Sequence, residues 1–227
     1  LWFLTYHTVF PGYVSDIVIS NGVKKVHFLS MSHIATEWFY QDKKSKIEML
    51  NRSWSIFYVE WVAPGSEASH EAFNTALGID LTNDLYATVA RITWLTLQVN
   101  DNLLTWVDAD RIRNVDMNMD EIALSLSGSA PTLSWSTAID MTEVLDTFDI
   151  MTNQEKIFAR FVLRAFFNWS LKNTDTLEAS LMWSNSPLFD IILTERNKRV
   201  IDTITASWEK ESVVIYWALH FPWILRS

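Results

Sequence analysis

The chain has no cysteine. That excludes disulfides, thiolate metal sites and a thiol nucleophile, and it leaves the redox compartment unread. Positive charge is also short: 18 basic residues stand against 27 acidic ones, for a net charge of −9. Phosphate recognition draws on clustered Lys and Arg, so nucleic-acid binding is disfavoured. The pairs Lys24-Lys25 and Lys43-Lys44 read as solvated faces. Glycine is scarce, with five in 227 residues where an average composition of about 7% would give roughly 16. No apolar run reaches the roughly 20 residues a membrane-spanning helix needs. The apolar residues 1–10 (LWFLTYHTVF) read either as the tail of an upstream anchor or as a buried strand.

What is present is a globular composition, 49% apolar and 20% charged, on a chain long enough for one large core. Residues 16–227 read as a single domain that continues past Ser227, with residues 1–15 as an edge segment or the end of an anchor.

Residues 16–20 (DIVIS) and 25–31 (KVHFLSM) are β-branched and aromatic runs separated by Asn21-Gly22, a hairpin signal. Residues 35–51 have helical spacing, 55–62 (SIFYVEWV) read as a strand, and a helix from about Ser69 is stopped by Gly78. Residues 82–107 are helical but interrupted. Residues 113–117 read as a short strand, followed by a helix opened at Asn118 or Met119. The Ser-, Gly- and Pro-containing stretch 125–136 reads as a loop, and helices are predicted over 138–147, 153–171, 174–182 and 187–208. Residues 212–216 (SVVIY) complete the set as a buried strand. Strands at both ends and helices between predict a mixed α/β domain whose N- and C-terminal strands share one sheet, with the helical middle as an insert or cap.

Two strand ends echo each other. Residues 26–34 (VHFLSMSHI) and 213–221 (VVIYWALHF) are apolar strands that each break shortly before a histidine, His33 and His220, and Glu60 follows the strand between them. Open α/β sheets gather ligands at such strand ends. Two His and a Glu there suit a divalent metal that activates water, or metal-free acid–base chemistry. Taken alone, a histidine at a strand end is more often a hydrogen-bonded structural residue, and a glutamate after a strand is usually just exposed.

In order along residues 16–225, the pieces Ser30-Met31-Ser32-His33, Tyr58-Val59-Glu60, Asn114-Val115-Asp116, Glu195-Arg196-Asn197 and Trp217-Ala218-Leu219-His220-Phe221-Pro222-Trp223 resemble the TraB/Tiki/GumN superfamily, relatives of erythromycin esterase and ChaN-like proteins. Its signature is two Gly-x-x-His motifs near the ends of the domain with a glutamate on the next strand. The resemblance implies a bacterial hydrolase of peptide or ester bonds; the apolar start of the chain leaves a membrane-anchored or cell-envelope location open. Its site would use His33, Glu60 and His220 as divalent-metal ligands or water activators, with Arg196 as a clamp on an oxyanion. It implies Asn114, Asp116 and Asn197 as supporting residues, the first two fixing a histidine tautomer or capping the next helix. The wider group also includes haem-binding proteins, so the alternative is a non-catalytic binder of haem or a small ligand. His7, His27 and His70 match nothing in the pattern and read as structural or exposed. The expected partner is a small molecule or peptide.

Ser30, Trp217 and Trp223 stand where the family has glycine. Trp54, Trp61, Trp135 and Trp208 also fall where a turn or small residue fits. Twelve Trp beside five Gly suggest that some of these codons are UGA read as glycine in the native cell. The alternative is genuine tryptophan at a membrane interface or sugar-binding face.

Overall fold

The computed structural model describes residues 14–77, 83–127, 141–183 and 190–226. The expectations for residues 1–13, for the Gly78 stop and for residues 128–140 and 184–189 lie outside them, as do Trp135 and His7. The fold is mixed α/β, as the sequence predicts. β1 (Ile17–Ser20) and β2 (Lys25–Met31) form an antiparallel hairpin. At its turn Asn21 Oδ1 accepts from the amides of Val23 and Lys24, and Gly22 takes the left-handed φ of +82°.

The chain's last strand, β7 (Glu211–Trp217), lies in the middle of the five-stranded sheet. It is parallel both to β2, in register Met31↔Trp217, and to β4 (Ile56–Val59), in register Val59↔Ile215. β6 (Ile112–Asn114) is parallel to β4 at the far edge. This central position explains the unbroken apolar run Val213–Tyr216, because both faces of β7 are covered. Val213 and Ile215 pack with Phe39, Ile47 and Leu50 of α1 (Glu37–Asn51). Val214 and Tyr216 pack with Val200 and Ile204 of α9 (Arg196–Ala206) and Ile224 of the terminal α10 (Phe221–Arg226). Helices therefore cover both sides of the sheet.

Of the two lysine pairs, Lys43 is not solvated. It is buried on α1, ion-paired with Asp16, which also pairs with Lys46. Lys24 donates to the carbonyls of Ile204, Thr205 and Ser207, where a cation complements the C-terminal end of α9.

Between β4 and β6 run α2 (Glu67–Leu77), α3 (Asn83–Thr93) and α4 (Asn100–Leu104). Two-residue strands β3 (Ile34–Ala35) and β5 (Thr96–Leu97) pair antiparallel, and the Gln98 amide donates to the His33 carbonyl at 2.9 Å. α5 (Met119–Ser127) opens with reciprocal Asn118–Glu121 capping bonds, so residues 125–127 are helical rather than loop. Beyond it lie α6 (Met141–Ile150), α7 (Asn153–Lys172) and α8 (Thr174–Trp183). α7 is fastened by Arg160 and Arg164, which donate to the carbonyls of Ile92, Thr93 and Trp94 at the end of α3. The single helix expected over 187–208 is instead a π-helix, Asp190–Glu195, running into α9. No helix among the described residues is long and apolar enough to cross a membrane.

Candidate active site

Four parallel strands end on one edge of the sheet, and the residues just past those ends meet there. His33 lies two residues beyond β2, Glu60 follows β4, Asp116 lies two beyond β6, and His220 closes the one-turn 3₁₀-helix Ala218–His220 after β7. The wide turns of the π-helix deliver Arg196 and Asn197, the first residues of α9, to the same edge.

Arg196 is the centre of this group and is only 6% exposed. Its Nε and Nη2 donate to the two Asp116 oxygens at 2.6 Å each, a bidentate pair, and Nη2 also donates to Glu60 Oε1 at 2.7 Å. Arg196 thus pairs with carboxylates past the ends of two strands rather than with its sequence neighbours Glu195 and Asp190. Nη1 has no hydrogen bond among the described residues, and the arginine lines the cleft. The second Glu60 oxygen accepts from the Trp217 backbone N–H, tying the end of β4 to β7. Burial works against charge on Glu60, but His220 and Arg196 outweigh it and hold the carboxylate far below its usual range. Burial likewise works against charge on Arg196, and Glu60 and Asp116 overcome it to keep the guanidinium firmly protonated.

His220 is fully buried. Its Nδ1 lies 2.8 Å from Asn197 Oδ1, which assigns that nitrogen the proton, since an amide oxygen only accepts. Nε2 lies 3.3 Å from Glu60 Oε1, within ion-pair reach but without the alignment of a hydrogen bond. His33 differs. Its imidazole sits between Tyr86, at 5.0 Å between ring centroids, and Trp217, at 5.4 Å. Among the described residues no side chain hydrogen-bonds it. Burial lowers its pKa, more than Glu60 raises it.

A cavity of about 480 Å³ opens over this edge, lined by His33, Glu60, Tyr86, Gln98, Arg196 and Trp217. His33, Glu60 and Arg196 thus share one cleft, and His220 stands behind Glu60 without reaching it. Asn197 holds His220. Asp116 grips Arg196 rather than a histidine, and Asn114 does neither: its Nδ2 donates to the Trp61 carbonyl and its Oδ1 accepts from the Asp116 amide, fixing the turn. His27 bonds Glu211 on the sheet and His70 is exposed, away from the site. Tyr86, Gln98 and Tyr216 were not legible as site residues. Tyr216 packs edge-on against His220 at 5.2 Å, but in sequence it is one apolar position of a buried strand.

The donors suit a divalent ion poorly. Both Glu60 oxygens are already engaged, and the oxygen facing His220 carries the Arg196 guanidinium, so a metal there would place two cations on one atom. Among the described residues no three His, Asp or Glu side chains converge as a metal site. The geometry offers an imidazole facing a cleft, a carboxylate that can stabilise that imidazole once protonated, and an arginine that lines the same cleft with Nη1 unbonded among the described residues. No protein-family model, curated protein or solved structure matches the chain.

Proposed function

We propose that the chain is a hydrolase of ester or peptide bonds that works through the His33–Glu60–Arg196 cleft. The observation that carries this reading is that these three residues line one cavity, with Glu60 held as a carboxylate and His33 as a free imidazole. Glu60 is too acidic to serve as the base, so that role falls to His33. Water attacks the substrate carbonyl while an unprotonated His33 nitrogen takes its proton. The oxyanion is met by the free Nη1 of Arg196, and the imidazolium is stabilised by Glu60. Collapse of the adduct breaks the ester or amide bond, and the imidazolium returns the proton to the leaving alkoxide or amine. His220 and Asn197 act by positioning Glu60.

A bound divalent metal would add Lewis-acid polarisation at His33, Glu60 and His220, but the crowding at Glu60 argues for the metal-free route. A binder of a small ligand or haem on the same scaffold draws on one observation, a second, largely apolar cavity beside His33. Hydrolysis of p-nitrophenyl esters and dipeptide amides by the wild type and by His33→Ala tests the proposal. Turnover that survives His33→Ala would remove the proposed base, and saturable binding with no turnover of either substrate class would select the binding protein.

A further inference from the structure

We propose that the smaller cavity next to the cleft is the subsite for an apolar substituent of the substrate, a phenyl ring or a straight chain of about four to six carbons. The proposal rests on the reading of the cleft as a hydrolase site. The cavity is about 170 Å³ and is walled by Phe166, Phe167 and Leu171 of α7 and Leu177 of α8. An apolar cavity of roughly 150 Å³ holds a benzene-sized guest. The hydroxyls of Ser32 and Ser170, which also line it, are spent on backbone carbonyls of Ile34 and Phe166, which leaves Thr174 and Tyr86 as the other hydroxyl-bearing residues of a mostly apolar wall. His33, Tyr86, Trp217 and Leu219 line both cavities. A carbonyl beside His33 and Arg196 can therefore carry its substituent past Trp217 into the apolar space. The wall is fixed relative to the cleft, because Arg160 and Arg164 bind α7 to the end of α3, the helix that carries Tyr86.

The test is a binding series of neutral primary amides, acetamide through octanamide, followed by NMR titration. Affinity should rise roughly three- to fourfold per added methylene up to hexanamide and then level off. Leu171→Trp, which fills the space, should flatten the series. A flat series in the wild type overturns the subsite whatever the turnover. A rising series without any ester or amide hydrolysis keeps the subsite and removes the hydrolase.

A separate observation concerns the backbone. Among the described residues, the non-glycine residues with left-handed φ are two tryptophans, Trp54 at +59° and Trp94 at +54°. Trp94 closes α3 in a Schellman motif: its N–H donates to the Arg91 carbonyl and that of Leu95 to the Ala90 carbonyl, which puts Trp94 at the position glycine favours. Trp54 donates to the Asn51 carbonyl in the turn ending α1. Both indoles are exposed, at 77% and 70%, so burial does not offset the strain. Each lies against an arginine, but those arginines are held independently, Arg111 on the Asn51 carbonyl and Arg160 on that of Ile92.

We infer that positions 54 and 94 are decoded as glycine in the native cell. Trp217 (φ −58°), Trp223 within α10, and Trp208, which follows an extended Ser207 rather than capping the helix, adopt conformations open to any residue. The tight turns expected at these three are absent. Peptide mass spectrometry of protein from the native source decides the matter at 54 and 94: peptides lighter by one indolylmethyl group at each site are expected, and peptides carrying the indole would overturn the inference.

Discussion

His33 and His220 stand past the ends of two hydrogen-bonded parallel strands, and their surroundings differ in kind. At the end of β7 the imidazole is enclosed and anchored on one side: Asn197 holds Nδ1 of His220, Glu60 faces Nε2 without an aligned hydrogen bond, and Tyr216 and Trp217 pack against the ring. At the end of β2 the imidazole has ring contacts but, among the described residues, no hydrogen bond, and it borders both cavities. A group that must gain and lose a proton needs access and a free lone pair. A group that orients its neighbour needs the opposite. Under the proposed reaction, that difference amounts to a division of labour between two histidines: the open one takes the proton, and the buried one holds its neighbours in place.

The sharpest way to break that division is to truncate each side. His33→Ala should lower ester or amide hydrolysis about 10²–10⁴-fold while leaving the urea midpoint close to wild type, because its side chain makes no hydrogen bond to the described residues. Comparable loss of stability would make His33 structural. On the buried side, Arg196→Ala leaves Glu60 and Asp116 as facing carboxylates without their cation. It should cost about 3–5 kcal/mol in urea denaturation, and Arg196→Lys should recover part of the fold but not the bidentate grip on Asp116. Asn197→Ala is milder. Removing the acceptor for His220 Nδ1 should cost about 1–3 kcal/mol and lower kcat through misplacement of Glu60 rather than through loss of the base. Its pH–rate profile should therefore keep the wild-type shape.

Much of the sheet could be read in the chain because its signals are local. Asn21-Gly22 sets the hairpin, and the run 212–216 announces a strand buried on both faces. The site was legible in residue type more than in partnership. Asp116 and Arg196 stand 80 residues apart, and nothing local says that they pair. The π-helix was hidden for a related reason: Leu188, Ile191, Ile192, Arg196 and Arg199 keep an apparent helical spacing, so a wider turn leaves no mark in periodicity, yet it sets where Arg196 points. β3 and β5 are two residues each, too short for any period, and they fix the backbone that carries His33. Lys43 reads as solvated beside Lys44 because its partner, Asp16, lies 27 residues earlier, just ahead of β1.

A smaller effect distinguishes the two sides by pH. The folded pKa of His33 lies below the ordinary value of 6.5, so the imidazole stays neutral as pH falls past that point, and the acid limb of kcat/KM should lie below pH 6.5. In stability the sign follows from proton uptake. Below 6.5 the unfolded chain protonates this histidine first, so stability falls as pH drops from there toward the folded pKa. Glu60 acts in the same direction at lower pH: its folded pKa lies below 4.5, its contribution is complete above 4.5, and it is lost as pH falls through the folded value. Urea midpoints at stepped pH should show the first decline weakened in His33→Ala.

The smallest expected effect is that of a chelator. Placing a divalent ion between His220 and Glu60 would require Glu60 Oε1 to release Arg196 or to carry both cations, and releasing Arg196 would leave its bidentate bond to Asp116 as the guanidinium's remaining anchor. The cost of that exchange favours arginine as the resident cation. Dialysis against EDTA should therefore leave kcat/KM within about twofold, since only a loss near 1.4 kcal/mol would show as a tenfold change. A larger loss, restored by adding back a divalent metal, would move the reactive centre from His33 to the Glu60–His220 pair and reverse the roles of the two strand ends.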